Sequence, residues 1–100
     1  MEKFGKIEQS NEYNTEEIAT SLKNRIDIET IPHFKMTIRR ASDAFESALA
    51  SEDIEEKKEN LRIMENCENY LGEKYRDDKD QRNYIAALKQ GIEYLETLTK

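Results

Sequence analysis

Glycine occurs three times in this chain, proline once, cysteine once, histidine once and tryptophan not at all. Each shortage excludes something. Gly and Pro are the strongest punctuation of regular secondary structure, so their scarcity across 100 residues implies few stops and long elements. A single cysteine cannot close an internal disulfide. One cysteine with one histidine also leaves too few soft ligands for a structural zinc site. No run approaches the roughly 18 consecutive apolar residues of a membrane span. The segment Met1 to Ile7 likewise carries no apolar stretch of signal-peptide type. These absences point to a reducing, cytoplasmic setting and away from the bilayer.

Apolar residues are also short, at 36%, against roughly 45 to 50% in ordinary globular chains. Charged residues reach 38%, against roughly 25%. The core must be thin, and one domain is all that this length supports. Helices tolerate such a composition because each satisfies its own backbone and needs only one apolar stripe. A protein partner or self-association would supply further burial. The 22 acidic and 16 basic side chains leave a net charge of -6, which disfavours nucleic acid and anionic membrane as partners.

What is present is helical periodicity. Asn14 and Glu17 have N-cap and N3 spacing, and Ile18, Leu22 and Ile26 follow at steps of four, predicting a short helix to about residues 27–29. Thr30 and Pro32 suit the start of a second helix, whose stripe Phe34, Ile38, Ala41, Phe45 and Ala48, with Leu49 alongside, runs to about Ala50. Ser51 is the expected cap of a third helix with the line Ile54, Leu61, Met64, Cys67, Leu71 and Tyr75, and Gly72 marks its unwinding. Asp78 and Gln81 predict the start of a fourth, lined by Tyr84, Ile85, Leu88, Ile92, Leu95 and Leu98. Gly91 sits on the edge of that face. Glycine costs roughly 1 kcal/mol relative to Ala inside a helix, so it implies close contact with another backbone. Residues 1–13 read as an extended N-terminal arm and 14–100 as a single helical-bundle domain. With connections of one to four residues, the fold class is all-α: a small antiparallel helical bundle of three long helices plus a shorter N-terminal helix.

The search for chemistry returns little. His33 lies in a helical first turn, and Cys67 lies on an apolar line where cysteine acts as a small hydrophobe. Asp77, Asp78 and Asp80 lack the central glycine of a calcium loop and meet Lys89 where a chelating glutamate belongs. The three glycines belong to no phosphate-binding run. No cofactor, no metal and no enzyme activity is expected.

Three groups of side chains remain as candidate surfaces. Tyr70, Tyr75, Tyr84 and Tyr94 fall at stripe edges, where an amphipathic ring serves either core or partner. Glu52, Asp53, Glu55, Glu56 and Glu59 make an acidic face, interrupted by Lys57, Lys58 and Arg62 at pairing distances. His33, Lys35, Arg39 and Arg40 form the one basic cluster, a candidate anion or nucleic-acid patch, with Asp43 spaced to neutralise both arginines. The expected function is a small acidic protein-protein interaction module (regulatory partner, inhibitor, immunity-type protein or assembly subunit) that presents helix faces. The alternative is a nucleic-acid-related factor, either binding through the basic cluster or mimicking nucleic acid through the acidic face.

Overall fold

Four capping signals decide where the chain turns, and two of them differ from expectation. In the computed structural model, which describes residues 13–76 and 78–100, the elements are α1 (Thr15–Ile28), α2 (Pro32–Ala50), α3 (Ile54–Gly72) and α4 (Lys79–Leu98). The arm expected before Asn14 lies outside the described residues except for Tyr13, whose ring sits 5.6 Å from that of Tyr94. Asn14 Oδ1 accepts the Glu17 amide at 3.0 Å, and Asp78 Oδ1 accepts that of Gln81 at 2.8 Å, so the caps of α1 and α4 stand as expected.

The start of α2 is different. Ile31, not Thr30, is its N-cap residue and offers no side-chain acceptor. Glu29 instead holds the turn that precedes the helix, its Oε2 taking the amides of Thr30 at 3.1 Å and Ile31 at 3.0 Å. The α2–α3 corner also departs from expectation: Asp53, not Ser51, caps α3 through the Glu55 amide at 3.0 Å. Ser51 works one step earlier, its Oγ accepting from the Asp53 amide and donating to Glu56. Lys57 Nζ donates to the carbonyls of Ala48 and Ser51 rather than pairing with Asp53. A cation on these last carbonyls satisfies acceptors that the helix leaves open and favours its negative end.

Packing closes the four helices into a ring. α1 lies against α2 and α4, α3 lies against the same two, and α2 and α4 meet only slightly across the diagonal. The short first helix is therefore a full member of the bundle rather than a cover on one side. Ile18, Leu22, Ile38, Phe45, Met64, Leu71, Leu88 and Leu95 fill the interior. Three expected stripe positions fall outside it, since Ile54 is 43% exposed and Leu49 and Leu98 36% each. All three lie in the first or last turn of a helix.

Gly91 sits at the centre. A Cβ there would lie 3.1 Å from Met64 Cε, 3.3 Å from Ile18 Cγ2 and 3.3 Å from Phe45 Cε1. The close approach is therefore to side chains from all three other helices, not to a backbone as the sequence implied.

A second tie holds one end of the ring. The α3–α4 connection, residues 73–78, is longer than expected because Tyr75, read as part of the α3 line, lies beyond the helix and turns inward to 2% exposure. Its hydroxyl donates to Glu29 Oε1, which also accepts from Arg25 at 3.3 Å. The Arg25 guanidinium lies 5.0 Å from the Tyr75 ring centroid, and Phe34 and Tyr84 pack on the ring edge-to-face at 5.4 and 6.0 Å. One buried carboxylate thus joins the end of α1, the start of α2 and the final connection. Buried hydrogen bonds to a charged group contribute about 1.5 to 3 kcal/mol each.

Two contrasts test this account in urea denaturation. Gly91→Val should lose about 1 to 3 kcal/mol through overpacking, whereas Gly91→Ala should stay within about 1 kcal/mol because its gain in helix propensity offsets the squeeze. Tyr75→Phe should lose about 1 to 3 kcal/mol by leaving Glu29 short of a donor. Tyr84→Phe should match or exceed the parent, since the Tyr84 hydroxyl is buried with no protein partner among the described residues.

Candidate functional site

The core stripe of α2 has a neighbour one or two residues earlier in the chain. His33, Met36, Arg40, Asp43 and Ser47 recur at steps of three and four, and on α3 Asn60, Ile63, Cys67 and Tyr70 do the same. Because α2 and α3 share the most extensive contact in the bundle, these two lines border one continuous surface groove. It consists of two adjoining cavities that share Met36, Arg40 and Ile63. Met36 is 62% exposed and Tyr70 40%, two of several large hydrophobic side chains left at the surface. Tyr70 is held by an edge contact to Phe34 at 6.1 Å and by Lys74, whose Nζ lies 4.7 Å from its ring centroid.

The groove carries charge that the fold does not neutralise. Arg39 and Arg40 line it, both are exposed, and neither forms an ion pair within 4 Å among the described residues. Asp43, expected to pair with both, also lines the groove without closing on either. His33 lies at one end. Lys35 is half-buried and does not line the groove, so the structure keeps His33, Arg39 and Arg40 together and separates Lys35 from them.

The acidic face is differently placed and largely engaged. Glu52, Asp53, Glu55, Glu56 and Glu59 are all exposed. Asp53 is a helix cap, Glu56 accepts from Ser51, Glu55 lies 4.0 Å from Lys58, and Glu59 lies 3.8 Å from Arg62. Exposed pairs of this kind contribute about 0 to 1 kcal/mol. Their effect is to solvate the helix and hold the corner.

Of the four candidate tyrosines, Tyr75 and Tyr84 are interior and present no ring to a partner. Tyr94 is half-buried against Tyr13, and only Tyr70 combines exposure with a place in the groove. Sequence reasoning missed Met36, Ile63, Asn60 and Asn66, although the second stripe of three-and-four steps was there to be read. It also missed the Arg25–Glu29–Tyr75 tie, for which no local signal exists because Glu29 and Tyr75 are 46 residues apart.

Cys67 forms part of the groove's inner wall but is itself buried, and burial pushes its thiol above the ordinary range despite the nearby Arg40 charge. Tyr84 is likewise raised, first by burial and then by Cys67, against the opposing Arg25 charge. Neither residue is poised as a nucleophile. Among the described residues no three His, Cys, Asp or Glu side chains converge as a metal site, and no helix is long and apolar enough to cross a membrane.

No protein-family model, curated relative or solved structure matches the chain. The site is therefore characterised by its own geometry: a helix-lined groove with exposed apolar side chains and two arginines that Asp43 offsets only in part, on a four-helix bundle.

Raised acid groups fix the sign of an alkaline effect. In the unfolded chain the thiol and phenol ionise at about 8.5 and 10. The folded protein holds both protons to higher pH, so stability should fall progressively as pH rises past these values. Urea midpoints measured from neutral to alkaline pH should show this decline, and the double variant Cys67→Ala with Tyr84→Phe should flatten it.

Proposed function

We propose that this protein is a protein-protein interaction module that docks its partner along the α2–α3 groove, as a regulatory subunit, inhibitor, immunity-type protein or assembly component would. One observation carries the reading: Met36 and Tyr70 stand exposed in two adjoining cavities between packed helices, which also hold Arg39 and Arg40, unpaired among the described residues. Isolated apolar residues on a surface require no explanation. Here they share a concave site with guanidinium groups, and aromatic, Met and Arg side chains are the types enriched at interfaces. Ile28 and Ile31 are exposed as well, at the α1–α2 corner. The groove is preferred because it is concave and charged as well as apolar.

The nucleic-acid readings draw less support. The basic cluster is reduced to His33, Arg39 and Arg40 in a chain of net charge -6, a small footprint for phosphate binding. Of the acidic face, Glu55 and Glu59 lie beside Lys58 and Arg62 while Asp53 and Glu56 hold the corner, so most of these carboxylates are tied to local structure rather than arrayed for mimicry.

A photo-crosslinking amino acid introduced at Met36 in the native host should yield a discrete protein adduct. The same group at Asn83, exposed on α4, should yield none. Equal labelling at both positions, or none at Met36, removes the groove as the docking face.

A further inference from the structure

The groove has a length, a residue spacing and a charge, and together they select an occupant. Its α2 edge runs from His33 to Ser47, about 21 Å at about 1.5 Å per residue. Both edges repeat at three and four residues, the spacing with which a helix receives the side chains of another helix. An exposed sheet edge would be needed to recruit an extended strand, and the described residues contain none. A helix laid between α2 and α3 would bury Met36, Ile63 and Tyr70 against its apolar face.

Charge decides the flanks of that helix. Arg39 and Arg40 form no ion pair among the described residues, and two carboxylates on neighbouring surfaces lie beside other cations: Glu46 by Lys23 at 3.1 Å and Glu59 by Arg62 at 3.8 Å. Among the described residues Asp43 is the one carboxylate lining this groove, against the two guanidinium groups. The charge lining the groove is therefore net positive, opposite in sign to that of the whole chain. A second copy of this chain, at -6, would meet general repulsion on approach. A segment bearing carboxylates beside an apolar stripe would meet complementary charge.

We infer that the α2–α3 groove takes an acidic amphipathic helix from a partner protein, with apolar anchors on Met36, Ile63 and Tyr70 and carboxylates on Arg39 and Arg40. This rests on the groove being the docking face, and it adds the chemistry of what docks.

The test uses the full chain and three fluorescent peptides of about 18 residues, long enough to cover the groove. All carry leucines at helical a and d spacing; their flanks carry Glu, Gln or Lys. A single-stranded RNA oligonucleotide serves as a fourth probe. Anisotropy should rank the Glu peptide tightest, about tenfold above the Gln peptide, with the Lys peptide weakest. Higher salt should erase the advantage of Glu over Gln. The double variant Arg39→Ala with Arg40→Ala should remove the same advantage while leaving thermal unfolding unchanged, because both side chains are exposed. Met36→Ala should weaken the Glu and Gln peptides alike. Amide chemical-shift changes should map to α2 and α3.

Equal binding of Glu and Gln peptides, or preferential binding of RNA or the Lys peptide, would overturn the acidic occupant. So would no binding of the Glu peptide, or peptide-induced shifts confined to α1 and α4. A Met36 crosslink in the host that survives any of these results leaves the docking face standing, so the two readings fail separately. Concentration-dependent self-association through the same resonances would replace the partner helix with a second copy.

Discussion

The bundle depends on one missing side chain. At Gly91 the surface of α4 drops to the backbone, and Ile18, Phe45 and Met64 from the other three helices close over it. With apolar residues at 36% of the chain, the interior is not built from large side chains in every layer. It is built from close approach, with Ala41, Ala44 and Ala48 lowering the buried face of α2 and Gly91 lowering that of α4. Dispersion between atoms in contact is individually small and falls quickly with distance. A thin core is therefore stable only if its few side chains meet without gaps, and the central glycine makes that meeting geometrically possible.

The Glu29 tie solves a different problem. Buried carboxylates are costly unless every acceptor is used. Here the two oxygens receive two backbone amides, a phenol and a guanidinium from three parts of the chain. It supplies directionality that apolar contacts lack, fixing where α1 ends, where α2 begins and how the last connection returns. The Tyr70–Phe34–Tyr75–Tyr84 run of edge contacts extends from this tie toward the surface. Tyr70, the ring that borders the groove, is in this way anchored to the most cross-linked end of the molecule. A docking surface supported by such a series of rings is preorganised, which lowers the ordering cost of binding.

The buried face and the groove use adjacent stripes of the same two helices. On α2 the line through Ile38, Ala41, Phe45 and Ala48 is spent on the interior, and the line through His33, Met36, Arg40 and Ser47 is left at the surface. An offset of one or two residues separates them. The result is a helix apolar enough on one face to fold and incompletely covered on the next.

The four helices, their order and most of their inward positions were legible in the sequence because they rest on local physics: a 3.6-residue period, side-chain caps at Asn14 and Asp78, and scarce Gly and Pro. Tertiary structure alone decided the rest. The start of α2 lacks the side-chain cap expected of Thr30, the cap of α3 passed to Asp53, Tyr75 left its helix to meet a carboxylate 46 residues away, and Asp43 stayed apart from the arginines it was spaced to neutralise. The groove was decided in the same way, since its two edges belong to different helices. Periodicity specifies which face a residue occupies on its own helix, whereas the partner of that face, and the charge left unpaired beside it, depend on how separate elements come together in space.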